Sequence, residues 1–242
     1  MLKKITALFA SVCIAAAAIS SFTVTASAAE GTKLDYSSGV VHISKPIELQ
    51  YFSEDVNNGL AEAQRATVVL DNNIDLYGEY TVNIGENEDN PFKGIFDGNG
   101  YTISNLEQDI AGLYNGLFGF TDGATIKNLT IENANISVLY IGSIIAASAQ
   151  DTNFMNISVK NSYLKITRGT IPGLASLIID GLSAGAIAGV ASNGTLMYNC
   201  ESVDTVVELN STHVAGALAV SNYYAGGLVG VMKNSHIEYS RV

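Results

Sequence analysis

The chain has 242 residues, 12 basic and 23 acidic side chains, a net charge of −11 and no tryptophan. So acidic a chain excludes binding to nucleic acid, to an anionic membrane surface or to acidic polysaccharides through its overall field. Its two cysteines, Cys13 and Cys200, against 48% hydrophobic residues, point to a protein held by an apolar core and not by a disulfide framework.

Residues Met1 to Ala29 place Lys3 and Lys4 before an apolar run from Ile5 to Ile19, followed by the small residues Ala26-Ser27-Ala28. This is the pattern of a secretory signal peptide cut after Ala28 or Ala29. The apolar run is shorter than the ~20 residues of a membrane-spanning helix. Cys13 follows Val12, where a lipid-modified cysteine would follow a small residue. Residues 30–242 then form one exported domain with no membrane insertion. Loss of Lys3 and Lys4 leaves ten basic residues against 23 acidic ones, a charge of −13, and Cys200 has no partner for an intramolecular disulfide. That combination fits a bacterial secreted protein.

The fold is predicted to begin with a short strand at Val40 to Ile43. Ser44-Lys45-Pro46 is a helix-start signal, with Ser44 the expected N-cap and proline in the first turn. Ile47, Leu49, Phe52, Val56 and Leu60 recur at helical spacing, predicting an amphipathic helix from Pro46 to about Ala63, with a potential interruption at Asn57-Asn58-Gly59. Thr67 to Leu70, Ile74 to Leu76 and Tyr80 to Ile84 read as short strands separated by turn residues. The helix is expected to lie as a lid on the first open end of whatever these strands build.

From Phe92 to Leu106 a tight turn, Asp97-Gly98-Asn99-Gly100, joins two short strands, because glycine accepts positive φ and Asn and Asp bond to nearby backbone. Ile95 and Ile103 are expected to point to one interior, with Thr102 and Ser104 pointing away. One such unit cannot bury its own apolar face, so stacked neighbours are required. They follow. Asn128, Asn156 and Asn199 head three copies in which the residue two before is apolar (Ile126, Phe154, Met197) and the next is Leu129, Ile157 or Cys200. Five residues on sits Asn133, Asn161 or Asp204; eight on, Ile136, Leu164 or Val207; ten on, Val138, Ile166 or Leu209. Ser202 departs from the Ile131 and Val159 of the other copies.

Nine or ten residues before each head asparagine is a small-residue apolar segment: Gly116 to Gly119, Ile144 to Ala147 and Ala186 to Gly189. A fourth copy has Gly227 to Gly230, with Tyr239 in the asparagine's place. Two longer stretches, Thr167 to Ser183 and Asn210 to Tyr224, are insertions between copies. Short strands of this kind, with period-2 interiors and asparagines at fixed offsets, predict an all-β parallel β-solenoid in which Asn128, Asn156 and Asn199 form a stacked corner ladder. A β-sandwich is the alternative, but it does not require the same residue type at the same offset.

These segments resemble the GLUG-type repeat of bacterial surface and secreted proteins, in which Gly-Leu-Val/Phe-Gly precedes an Ile-x-Asn strand start. The matching residues are Gly116 to Gly119 with Ile126 to Asn128, and Gly227 to Gly230 with Ile237, and the resemblance extends over about Pro46 to Val242. It implies a right-handed parallel β-helix in a cell-surface or adhesive setting and implies no activity. The Ile144 to Ala147 copy departs from the pattern by lacking both glycines.

Chemistry-bearing residues do not converge in the sequence. His42, His213 and His236 lie in unrelated contexts and read as surface or turn residues. Asp71 and Asp75 lie close together and Asp97 is in the glycine turn, a set of the type used in glycoside hydrolysis, but each is also a turn-former. Glu86, Glu88 and Asp89 offer hard oxygen ligands for calcium in an acidic loop without a fixed-ligand pattern. Cys200 reads as a small core residue. Tyr223 and Tyr224 could stack on a sugar ring, or one of them could pack inward. The run Ile171 to Val190 is interrupted by Pro172, Asp180 and glycines and is not a membrane span.

The sequence therefore predicts a non-catalytic extracellular module without catalytic residues, metal or cofactor, a spacer or adhesive element for a glycan or a host or neighbouring-cell protein. The competing readings are a polysaccharide-processing β-helix enzyme and a calcium-dependent carbohydrate-binding module. Val242 falls partway through a repeat, with no atypical capping unit after it, so continuation into a longer protein is expected.

Overall fold

The computed structural model describes residues 34–78, 82–109, 112–167, 178–179, 181–210, 219–220 and 222–242. The segment read as a signal peptide, His213, Asp180 and most of both insertions lie outside the described residues.

Among the described residues every strand pair is parallel, and the chain winds repeatedly through the same four sheets in a solenoid-like stack that does not close into a barrel. The largest sheet has ten strands. Its main path runs Val40–Ile43, Thr67–Leu70, Ile95–Asp97, Thr125–Glu132, Asn153–Lys160, Leu196–Tyr198 and His236–Glu238. A second sheet stacks Glu107–Gln108, Asn135–Val138, Tyr163–Thr167 and Val206–Asn210. A third stacks Tyr114–Asn115, Ile141–Ser143, Leu182–Gly185 and Tyr223–Gly226, and a fourth stacks Phe118–Asp122, Ala146–Gln150, Ala188–Ser192 and Val229–Lys233. Within the insertions, Ile178–Ile179 pairs with Ala219–Val220, so these too stack on one another.

The register follows the repeat alignment. Phe96, Ile126, Phe154, Met197 and Ile237 occupy one column of the large sheet. Ile136, Leu164 and Val207 occupy one in the second sheet, beside Val138, Ile166 and Leu209. A slip of one residue would turn every one of these side chains outward, so burial itself fixes the register. Ser202 is buried in the column of Ile131 and Val159.

The small-residue segments line up as aligned, and their glycines have a steric reason. A Cβ on Gly189 would come within 2.6 Å of Ile141 Cγ2 and 2.7 Å of the Ala147 carbonyl. The Ile144 to Ala147 copy does without glycine: Ala146 and Ala147 are fully buried there. Leu117, Ile145 and Ile187 fill the core beside them.

At the N-terminal end the predicted helix is two: α1, Pro46–Asn57, and α2, Ala61–Gln64, separated where Gly59 adopts φ 78°. α1 buries Leu49, Phe52 and Val56 in the common core. Phe52, Phe92, Phe118 and Phe96 form a chain of ring contacts 5.4–5.8 Å apart from the helix to the first repeat. The N-cap is Lys45 and not Ser44. Glu48 in the first turn reaches back to accept from the Ser44 and Lys45 N–H groups at 2.8 and 3.1 Å, the carboxylate half of a capping box.

The expected Ile95 and Ile103 pairing is corrected. Ile95 is 38% exposed and Phe96 is the buried residue, because the Phe96 column continues Ile126 and Phe154 and so sets the strand's phase. Ile103 is buried as expected. Of the strand read at Tyr80 to Ile84, residues 79–81 lie outside the described residues, and Ile84 makes a single bridge to Phe118.

Candidate functional site

The polar residues singled out by the repeat meet at one outer corner of the large sheet. Asn128, Asn156 and Asn199 all adopt left-handed backbone, with φ 53°, 56° and 52°, a conformation that asparagine tolerates better than other side chains. Their amides form a continuous ladder: Asn199 Nδ2 donates to Asn156 Oδ1 at 2.9 Å, and Asn156 Nδ2 to Asn128 Oδ1 at 2.8 Å. Asn128 Nδ2 in turn donates to Asp97 Oδ1 at 3.0 Å. Asp97 is therefore the first member of the ladder. The aspartate read as a turn-former does that as well, accepting from Asn99 N–H at 2.8 Å.

Burial of Asp97 works against its ionisation, but hydrogen bonds from Asn128, the Asn99 amide and Lys127, whose Nζ lies 3.0 Å away, outweigh it and hold the carboxyl below its ordinary range. Asn105 Nδ2 likewise donates to Asp75 at 2.7 Å, and this bond, with the Tyr77 N–H, lowers the Asp75 pKa. On another edge Asn193 donates to Gln150 and Gln150 to Asp122. These ladders share a direction: the later coil donates and the earlier accepts, and a carboxylate stands first.

The second set of corner residues, Asn133, Asn161 and Asp204, also has positive φ, from 48° to 55°. Inside the stack, Thr152 Oγ1 donates to Thr121 Oγ1 at 2.9 Å, and Thr195 Oγ1 accepts from Thr152 N–H at 3.2 Å. Gln108, in register with Ile136, is buried, and its amide donates to the Val82 and Gly116 carbonyls.

The remaining candidates are dispersed. Asp71 binds His42 Nδ1 at 3.0 Å, on a different strand connection from Asp97. His236 binds Glu238 at 2.9 Å. In the acidic loop, the Gly85 and Glu86 N–H groups donate to Asn57 Oδ1 at 2.8 and 3.0 Å, and Asn87 Oδ1 accepts from Asp89 and Asn90. That loop fastens α1 to the stack, and among the described residues no group of three or more His, Cys, Asp or Glu side chains is placed to hold a metal. Cys200 is buried, which pushes its thiol up to about 11 and leaves it a poor nucleophile. Tyr223 and Tyr224 are consecutive on one strand and so project to opposite sides, with the Tyr224 ring lying across Gly181.

Two features were not read from the sequence. An open groove of about 510 Å³ is lined by Ser202, Val203, Asp204, Thr205, Val206, Arg241 and Val242. Beside it Glu201 accepts from Ser158 at 2.7 Å and from Arg241 Nη2 at 2.6 Å, bonds that lower its pKa in that order. The other is an exposed tyrosine pair: Tyr198 and Tyr239 stand 5.3 Å apart at 68° on the outer face, next to Asn199. They are 41 residues apart in sequence, and the available signal was Tyr239 in an asparagine's place.

In comparisons with known proteins, no family model matches the chain and no solved structure matches it. No helix among the described residues is long and apolar enough to cross a membrane. Over 146 residues the chain is 31% identical to Halomucin of Haloquadratum walsbyi (strain DSM 16790 / HBSQ001). The match takes in 59% of this chain and 2% of Halomucin, so the similarity is to one small segment of a far longer protein.

Proposed function

We propose that the protein is a non-catalytic extracellular module, a right-handed parallel β-helix whose α1 covers the first coil, serving as a spacer or adhesive element. The observation that carries this reading is the use made of its polar side chains. Asp97, Asn128, Asn156 and Asn199 bond to one another along the stack, so their polar groups hold coils together. Parallel pairing throughout supports right-handed winding, since parallel crossovers take that hand almost without exception. The Lys3-Lys4 and Ala26-Ser27-Ala28 pattern supports export. Membership of the GLUG-type repeat group is part of the same proposal, supported by the stacking of Gly116 to Gly119 and Gly227 to Gly230 in one column.

The test is to incubate purified protein with a panel of neutral and acidic glycans and assay new reducing ends. No turnover is expected. Turnover abolished by Asp97→Asn would establish the competing reading of a polysaccharide-processing enzyme. Fractionation of expressing cells should find the chain outside the cytoplasm, shortened at Ala28 or Ala29.

A further inference from the structure

We propose that the outer face around Tyr198 and Tyr239 is a binding site for a neutral saccharide. The starting point is a residue choice that opposes the local physics. Tyr239 stands in the ladder column after Asn199 and adopts φ 50°, left-handed backbone that a bulky side chain enters only at a cost. Asparagine there would relieve the strain and lengthen the ladder. Tyrosine does neither, and its ring turns instead to Tyr198 on the outer face, 5.3 Å away. The residue serves the ring's presentation and not the stack.

The surroundings fit a polyhydroxylated ligand. Tyr198, 40% exposed, meets Tyr239 edge to face, and Met155, 38% exposed, lies in register with Tyr198 on the preceding coil. Adjacent coils are about 4.8 Å apart, so the three side chains form a short apolar strip along the stack, on which pyranose C–H faces can lie. Hydrogen-bonding groups flank it. Among the described residues no donor reaches Asn199 Oδ1, which leaves that oxygen able to accept from a hydroxyl, and Glu238, in register with Tyr198, carries an exposed carboxylate. A net charge of −11 and the Glu238 carboxylate disfavour uronic or sulfated chains, which selects the neutral class.

This names the ligand class for the adhesive module proposed above and rests on that reading. The test titrates the full chain with β-1,4-glucan, β-1,4-mannan and α-1,4-glucan hexasaccharides, read by calorimetry and by intrinsic fluorescence, which comes from tyrosine alone in a protein without tryptophan. At least one probe should bind, and Tyr198→Ala and Tyr239→Ala should each weaken it about tenfold or more. Tyr239→Asn is the decisive variant, because it should raise the denaturant midpoint while losing binding. No binding of any probe to the wild type, or wild-type binding by Tyr239→Asn, would overturn the site. So would a change in sedimentation on Tyr239→Asn without saccharide binding, which would make the tyrosines a protein contact. A probe that is bound and then cleaved would uphold the site and sink the non-catalytic reading.

Discussion

The middle coil and the last coil share a sequence grammar and a register but differ in burial. Phe154 and Leu164, with neighbouring coils on both sides, are fully buried, whereas Ile237, Leu228 and Val229 of the last coil are only partly covered. The strand pattern thus decides which way a side chain points, and the next coil decides whether it is dry. Stability in such a stack belongs to interfaces between coils more than to the coils themselves.

The sharpest way to break that comparison is to place the same charge in both coils. Leu164→Asp should cost about 4 kcal/mol or more and unfold the repeats, because it buries an unpaired carboxylate between coils. Ile237→Asp should cost less, about 1 kcal/mol, since Ile237 is only partly buried. Urea unfolding followed by circular dichroism measures both, and equal costs would mean that the register is wrong.

Crowding gives the next effect. Gly189→Ala should cost about 2 kcal/mol, because its methyl group meets backbone carbonyls that cannot retreat. Gly123→Ala, with φ 71° but open space around it, should cost about 1 kcal/mol from backbone strain alone.

Asn156→Ala should cost about 1–2 kcal/mol by removing the ladder amide and straining the left-handed corner. Asn156→Gly should cost less, since glycine keeps the corner and loses only the ladder. The exposed strand residue Asn135 is the control, and alanine there should be neutral.

A smaller effect comes from acid. Asp97, Asp75 and Glu201 are all held below their ordinary pKa in the folded chain. Their contribution is therefore present above the unfolded values of about 3.9 for Asp and 4.3 for Glu, and is lost as pH falls through the lower folded values. The urea midpoint should be level from about pH 7 to 5 and drop towards pH 3. Asp97→Asn, which keeps an acceptor for Asn128, should flatten part of that drop. The smallest effect is kinetic: amides of Val229–Lys233 should exchange faster than those of Ala146–Gln150, although both strands occupy the same sheet.

The columns were legible because they are local patterns repeated at a fixed offset. Ile126, Phe154 and Met197 announce one another, as do the three head asparagines. Ile95 was misplaced because a three-residue strand carries too little alternation to fix its phase, and only the neighbouring coil does so. Asp97 was readable as a turn residue but not as the start of the ladder, since an acceptor that stands in for asparagine breaks the identity on which repeat alignment depends. The hold of Asn57 on Gly85 and Glu86 joins residues with no shared pattern. Packing alone brings them together.

The direction of the side-chain ladders bears on how the chain reaches its fold. Asp97, Asp75 and Asp122 can only accept, and Asn128, Asn105 and Gln150 donate back to them from the coil that follows. Each of these bonds ties a coil to the one made before it. A polypeptide emerging N-terminus first therefore presents the carboxylate end of each ladder before the amides that bond to it. Each coil gains its full set of bonds only when the following coil has joined it, since the Ser158 hydroxyl and the Thr152 N–H find their acceptors in Glu201 and Thr195.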